Sequence, residues 1–479
     1  MIKRVIKDEQ GIAMVVVVGL MLIITVLAFG LIAVSESDLK LSARDQDSMQ
    51  ALHIAEAGIQ KALWQLEQYG NSIPTPTFSV PVGNGIAQVN AMQDSGSQWY
   101  WTIESSGTCG QSHRKIKVTV FNFSLWNLNM GLGEDNSLAS GGNGLLGTTS
   151  IDGPFYVRGN VQLTGNSSIM GGPFFIKTGS LVFMDNGSNL GTESSPVAAY
   201  IEPADGNEDI LDKHGDPLNP GDPQVKVSQL SNQCPDIKLP PLDTLNTYRT
   251  TATNESLADT SSATTYVEEG WGTTHSEGYK VLDDNTSNTN ADVGARHIYK
   301  LNSSIDNFGS TTGFGWDAAN HKLYVNGTVF VDGNLTIGDN ENSEITYYGR
   351  GTIVANGNIT INGKLRPPYD AIKDAYDING THVLGLVTDE SIEINISGSG
   401  SCDRNSPDVS GAFFASKEVK ITHNNTTFVG SMIAGVLNIA DGTNNSHLFT
   451  DPSLPDFLPP SLPGSTKFLA MTSSWREVP

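Results

Sequence analysis

The chain has 479 residues, a net charge of −23 from 28 basic and 51 acidic residues, and three cysteines. That length exceeds one ordinary domain, and so acidic a surface repels nucleic acid. Three thiols cannot build a disulfide framework; one pair, Cys234 with Cys402 in polar loops, is the expected closure in an oxidising compartment, and it leaves Cys109 out.

The N-terminus carries Lys3, Arg4 and Lys7, then Asp8-Glu9-Gln10-Gly11. From Ile12 to Val34 there follow 23 residues without a single charge. As a helix they span roughly 34 Å at about 1.5 Å per residue, against a hydrocarbon core of about 30 Å. A secretory signal runs its basic residues straight into a short apolar stretch ended by a small-residue cleavage site. Here the distinctive glycine precedes the apolar run. The basic residues face Glu36 and Asp38 across the span, so the positive-inside bias puts the N-terminus in the cytoplasm. The helical pattern does not stop at the membrane edge. Met49, Leu52, Ala55, Ile59, Ala62, Leu63 and Leu66 recur at spacings of three and four, one apolar stripe that needs a partner outside the lipid. Tyr69-Gly70-Asn71 followed by Pro74 and Pro76 ends the helix, because glycine reaches the left-handed cap and proline cannot continue.

A basic leader ending in glycine, a hydrophobic helix and the stretch Ala55-Glu56-Ala57-Gly58 together resemble the N-terminal region of the type IV pilin superfamily, and within it the PilX-type minor pilins. The resemblance covers about seventy residues. It implies cleavage by a prepilin peptidase between Gly11 and Ile12, often with methylation of the new N-terminus. It also implies residence in the bacterial inner membrane as a single-pass protein, then display on a pilus or the cell surface. The implied partners are other pilins or pseudopilins, met through the N-terminal helix, together with a surface ligand. One residue departs from the pattern: the fifth position of the mature chain, a glutamate in most major pilins, is Val16. A valine cannot pair with a neighbour's terminal amine, which suits a low-copy or tip-located subunit. The alternative is a permanent anchor on a surface scaffold or carbohydrate-active module.

Residues 74–124 read as a small antiparallel β unit. Phe78 to Val82 and Ile86 to Val89 flank Gly83-Asn84-Gly85, a hairpin signal, and Trp99 to Ile103 and Lys115 to Phe121 alternate at period two. Residues 125–451 then carry an internal repeat. Gly153-Pro-Phe-Tyr-Val-Arg-Gly-Asn-Val-Gln-Leu-Thr-Gly165 has relatives beginning at Gly327, Gly351 and Gly411. Its expected inward positions are Phe155, Val157, Val161, Leu163; Val329, Val331, Leu335, Ile337; Ile353, Ala355, Ile359, Ile361; and Phe413, Ala415, Val419, Ile421. Two short strands per unit, joined by a Gly-Asn corner, predict a β-solenoid (β-helix) whose coils each bury an apolar row on the next. A loop-rich insertion is expected at about 184–326, too polar there for its own core, and the Pro-rich tail 452–479 is expected to lie back over the last coil as a cap. The expected fold class is therefore mainly β, behind a long N-terminal helix. The expected divisions are a leader 1–11, a helix 12–73 that spans the membrane over 12–34, the β unit 74–124, the solenoid 125–451 and the tail.

Strong catalytic motifs are absent: there is no C-x-x-C, H-E-x-x-H, G-x-S-x-G or phosphate loop. Asp205, Asn207, Asp209 and Asp216 fall at calcium-loop spacing, but Ile210 stands where the tight turn needs glycine. Asp389, Glu390 and Asp332 are the carboxylates that a solenoid-borne lyase or hydrolase would use, in a chain where acidic pairs arise by chance. The expectation is a non-enzyme without metal or cofactor.

Overall fold

The computed structural model describes residues 2–69, 75–94, 97–121, 124–132, 149–202, 210–232, 234–237, 239–240, 242, 247–248, 279–282, 296–298, 313–317, 321–332, 334–338, 340–377, 380–398, 402–439, 445–464, 469–470 and 476–478. They form two compact units, residues 1–122 with 468–479, and residues 123–467.

The first unit begins with one unbroken helix, α1 (Ile2–Tyr69). Nothing in it breaks the backbone pattern, since proline is absent throughout. The helix is long and apolar enough to cross a membrane, and from Met14 to Leu41 its large apolar side chains are exposed all round. The Thr25 hydroxyl in that stretch donates to the Met21 carbonyl at 2.7 Å, so this polar group is satisfied within the helix.

Four antiparallel strands follow: β1 (Thr77–Val82), β2 (Gly85–Asp94), β3 (Ser97–Cys109) and β4 (Ser112–Phe121). Val82 faces Gly85 across a two-residue turn in which Gly83 holds φ 55°, the left-handed conformation that such turns require. Six strands make up this sheet, because Leu469–Ala470 and Arg476–Val478 both pair antiparallel with β4. The end of the chain is thus part of the small sheet, where the sequence suggested a cap over a distant coil. Residues 123–467 are an insertion: the chain leaves the first unit after β4 and returns to β4's edge.

In the second unit parallel, in-register pairing dominates. Phe155–Arg158 pairs with Phe174–Lys177, which pairs with Ala199–Glu202. The same holds for Gly327–Val331, Gly351–Ala355 and Leu384–Thr388. The expected inward positions all lie in one core cluster. Pairing also runs past the expected break at 184, through Val197–Glu202 to Val227–Ser231.

The expected open β-solenoid, wound coil after coil in chain order, is corrected by the pairing of this sheet. The strands nearest the two ends of the unit pair with each other: Met130–Leu132 with Met432–Ala434, and Ser150–Asp152 with His447–Phe449. The first and last strands are therefore neighbours in the middle of a 22-stranded sheet, and the sheet closes its chain ends on one another. Arg296–Ile298 and Gly313–Asp317 depart further, pairing antiparallel with Lys322–Asp332. The physical reason is edge protection. A last strand left open would present unpaired N–H and C=O groups, and here the strands at each end of the unit find partners at the other end.

A second departure concerns the outer face. A continuous ladder runs Phe330, Val354, Val387, Phe414, Ile433, Gly131, Tyr156, Phe175, Tyr200. These residues alternate with the inner core, yet the large ones are fully or almost fully buried. Part of the cover comes from two stretches without regular strands. Ile237 N–H donates to the Tyr156 hydroxyl at 3.1 Å. The Pro-rich segment Leu454–Gly464 lies on the other half, where Thr328 and Ser461 hydroxyls meet at 2.8 Å and the Thr352 hydroxyl donates to the Pro460 carbonyl. Parallel strands buried on both faces are what continuous apolar runs such as Val383–Val387 encode.

Candidate functional site

The part of the molecule with the clearest chemical character is α1, which has two kinds of surface. From Met14 to Val34 it is an exposed apolar rod. Its last turns are seated on the small sheet, and the seat is made of small residues. Ala51, Ala55, Gly58, Ile59, Ala62 and Leu66 are buried against Ala87, Val89, Ile103, Val118 and Val120. A Cβ placed at Gly107 would stand 2.1 Å from the Ala51 carbonyl oxygen, and one at Gly58 would stand 2.2 Å from the Ser105 Oγ. The helix and sheet backbones approach as closely as glycine permits.

Of the residues taken from the sequence as helix packing, Ala55, Ile59 and Leu66 are buried, and Leu52 and Leu63 pack half-buried at the margin. Met49 is 55% exposed. The contact stripe is turned toward Ala51, Ile54 and Gly58, which lie outside the expected stripe, and it keeps Ala62, which lies in it. The signal was present in Ala55-Glu56-Ala57-Gly58, where small residues mark a close approach rather than a weak one.

The side chains of Lys3, Arg4, Lys7, Gly11 and Ile12 lie outside the described residues. Val16 is exposed, in the apolar half of α1. Beyond the apolar half, Glu36 and Lys40 form an i,i+4 ion pair at 2.7 Å, worth a few tenths of a kcal/mol at such exposure.

Other candidate chemistry does not assemble. Among the described residues no group of three His, Cys, Asp or Glu is placed to hold a metal ion. Asp205, Asn207 and Asp209 lie outside the described residues; Asp216 sits in a turn where its N–H donates to Asp212 Oδ1 at 2.9 Å. That bond, with another from His214 N–H, holds the Asp212 carboxyl below the usual range. Glu390 is ion-paired with Lys417, which ties up one of the carboxylates considered for catalysis, and the Asp332 side chain lies outside the described residues. Cys234 is buried and Cys402 exposed, and no disulfide joins them, so the expected Cys234–Cys402 closure is corrected. Burial pushes the Cys234 thiol far up, which makes it inert.

One small pocket has Tyr347, His382, Ser410, Asp451 and Leu454 among its lining residues. The Tyr347 hydroxyl and Ser410 Oγ meet at 2.8 Å, and burial raises the tyrosine. His382 Nδ1 accepts from the Gly349 N–H at 3.0 Å; burial lowers its pKa and raises that of Asp451. Each shift favours the neutral form. The pocket is a satisfied interior, with no activated nucleophile.

Neither a protein-family model nor a curated protein sequence matches the chain. Among solved structures it is similar to the competence-associated pilin ComZ from Thermus thermophilus, at 15% identity, with 90% of this chain and 97% of that chain covered and a TM-score of 0.47. That likeness is too slight to fix fold or function.

Proposed function

We propose that the chain is a pilin-like minor subunit of a type IV pilus or related secretion fibre. In this reading it waits in the bacterial inner membrane with its N-terminus in the cytoplasm. A prepilin peptidase trims it between Gly11 and Ile12, and the new N-terminus is methylated. The apolar half of α1 then passes from lipid into a core of neighbouring pilin or pseudopilin helices. The observation that carries the reading is the division of α1. One rigid helix is exposed and apolar from Met14 to Val34, and buried on its own sheet from Ala51 to Leu66. An all-round apolar helix needs lipid or other helices around it, and a seated second half holds the attached protein at a fixed distance from that environment. The leader residues Lys3, Arg4, Lys7 and Gly11 and the Ala55–Gly58 stretch support the pilin-like assignment. Val16 supports a low-copy position, since it offers no carboxylate to a neighbour's terminal amine. The inserted unit would be the displayed part, used in assembly priming or in contact with a surface ligand.

The test is the mass of the N-terminal peptide of the protein isolated from its own cells. A start at Ile12, with or without an added methyl, is expected, and a Gly11→Ala variant should accumulate with Met1 intact. Normal maturation of Gly11→Ala, or an intact leader in cells whose other pilins are processed, would overturn the reading and leave a permanently anchored surface protein.

A further inference from the structure

The inserted unit fastens its own two ends together. At the entry side a short turn, Leu125–Asn127, is capped within itself: Ser124 Oγ accepts from Trp126 N–H at 3.3 Å and Asn127 Oδ1 accepts from Ser124 N–H at 2.8 Å. The cap aims Trp126 into the interior, where it is fully buried and its indole N–H donates to the Pro463 carbonyl at 2.9 Å. Pro463 is almost the last described residue before the chain leaves the unit. Beside it, a Cβ on Gly464 would stand 3.1 Å from a Leu125 methyl carbon, so entry and exit are in van der Waals contact. The clasp continues inward. The Asn129 carbonyl accepts from Met432 N–H at 2.8 Å, and the ladder then zips Met130–Leu132 to Met432–Ala434 and Ser150–Asp152 to His447–Phe449.

A stack of strands held only at its neighbours frays from its ends, where local opening is least costly. Here the chain ends lie in the middle of the sheet. Every group named in the clasp belongs to residues 124–464, and none comes from the small sheet. We infer that residues 124–464 are a self-closed cassette, with Trp126 and Pro463 as its clasp. The two connections to the small unit then bear no part of its stability. Pulling on them, or cutting both, leaves the cassette folded, and a protease acting there would free it whole from its membrane tether. Loop-closure entropy for the long-range pairing is met inside the cassette by its own ladder.

The experiment uses the full chain in detergent, with one protease recognition sequence inserted after Asn122 and a different one after Ser465. Amide hydrogen exchange is followed by mass spectrometry before and after both cuts. The expected result is a soluble fragment whose protection across 130–132, 150–152, 427–439 and 447–449 is unchanged, with an unchanged thermal midpoint. Trp126→Phe keeps the ring's packing but removes the N–H. In the cut protein it is expected to lose protection at 125–132 and 454–464 while 174–202 stays protected. Loss of protection at 130–132 or 432–434 in the cut wild type, or its aggregation, would overturn the inference. Full protection in cut Trp126→Phe would overturn the clasp. Should Trp126→Phe fail to fold, the wild-type cleavage alone decides. None of these outcomes depends on processing at Gly11, so failure of the fibre reading leaves the cassette standing.

Discussion

Gly58 of α1 faces Ser105 of β3 with so little room that a Cβ at 58 would stand 2.2 Å from Ser105 Oγ and 2.9 Å from the Ala87 and Val89 side chains. Adding a methyl there brings a helix-propensity gain of up to about 1 kcal/mol and an overpacking cost of about 1–3 kcal/mol. The cost wins, because the sheet residues are themselves buried. Gly58→Ala is expected to destabilise the first unit by about 1–2 kcal/mol. Gly107→Ala should cost more, since its Cβ would meet the Ala51 carbonyl oxygen at 2.1 Å and the Ala55 nitrogen at 2.5 Å, both backbone atoms. Gly19→Ala, with nothing within 4 Å, should leave the seat unchanged. Ser105→Ala removes the nearest clashing atom and should restore part of the loss in Gly58→Ala, a coupling that a double-mutant cycle by chemical denaturation reads directly.

Phe413 and Phe414 are adjacent, point to opposite faces of the same strand, and are both fully buried. A sheet with one wet face would tolerate loss of the outward ring. This one is roofed by the Pro-rich segment, so Phe414→Ala is expected to cost about 3–5 kcal/mol, the same as Phe413→Ala. Comparable losses in denaturant midpoint for the two variants check the double burial. A Phe414→Ala within about 0.5 kcal/mol of wild type, the range for exposed positions, would refute it.

How far the sequence carried depended on the range of the signal. The helix, the Gly83 hairpin and the inner positions from Phe155 to Ile421 were legible, because each is written in a local period or turn. The order in which strands stack was not. Nothing near Met130 says that it pairs with Met432, three hundred residues on, and a repeat spacing constrains neighbours without saying where the first and last meet. The roofed outer face was half-legible. Val383-Leu384-Gly385-Leu386-Val387 is an unbroken apolar run, the mark of a strand buried twice, but its cover, Leu454–Gly464, lies far along the chain. At the helix seat the three-and-four spacing brings in Met49, which is exposed, and leaves out Ala51 and Gly58, which are buried because close approach selects for small residues.

His382 gives the second unit a pH dependence whose sign is fixed. Burial lowers its folded pKa, and Nδ1 must stay unprotonated to accept from Gly349 N–H. Below its ordinary value of about 6.5 the unfolded chain binds a proton that the folded chain resists, so stability falls as pH drops. His447, also lowered by burial, acts in the same direction. Across the pocket Asp451, raised by burial, favours its protonated form and offsets part of this at lower pH. His382→Asn keeps an acceptor near Nδ1 and cannot charge. Its thermal midpoint should fall less than that of wild type between pH 7 and pH 5. Parallel curves would show that His382 is not the group responsible.

Charge placed in the exposed half of α1 tests what surrounds it. Ile23 is 58% exposed, midway along the uncharged run, and touches nothing of the small sheet's core. Ile23→Lys should therefore leave the fold of both units intact, since no packed contact is lost. In lipid the same change costs about 2.5–3.5 kcal/mol at a span centre, enough to lower insertion by roughly a hundredfold at about 1.4 kcal/mol per tenfold. The measurement is the share of protein resisting alkaline carbonate extraction from membranes, set beside exchange protection of the two units. A sharp fall in the first with no change in the second is expected. Ile23→Lys that stays fully membrane-integrated would mean that this stretch meets protein or water rather than hydrocarbon.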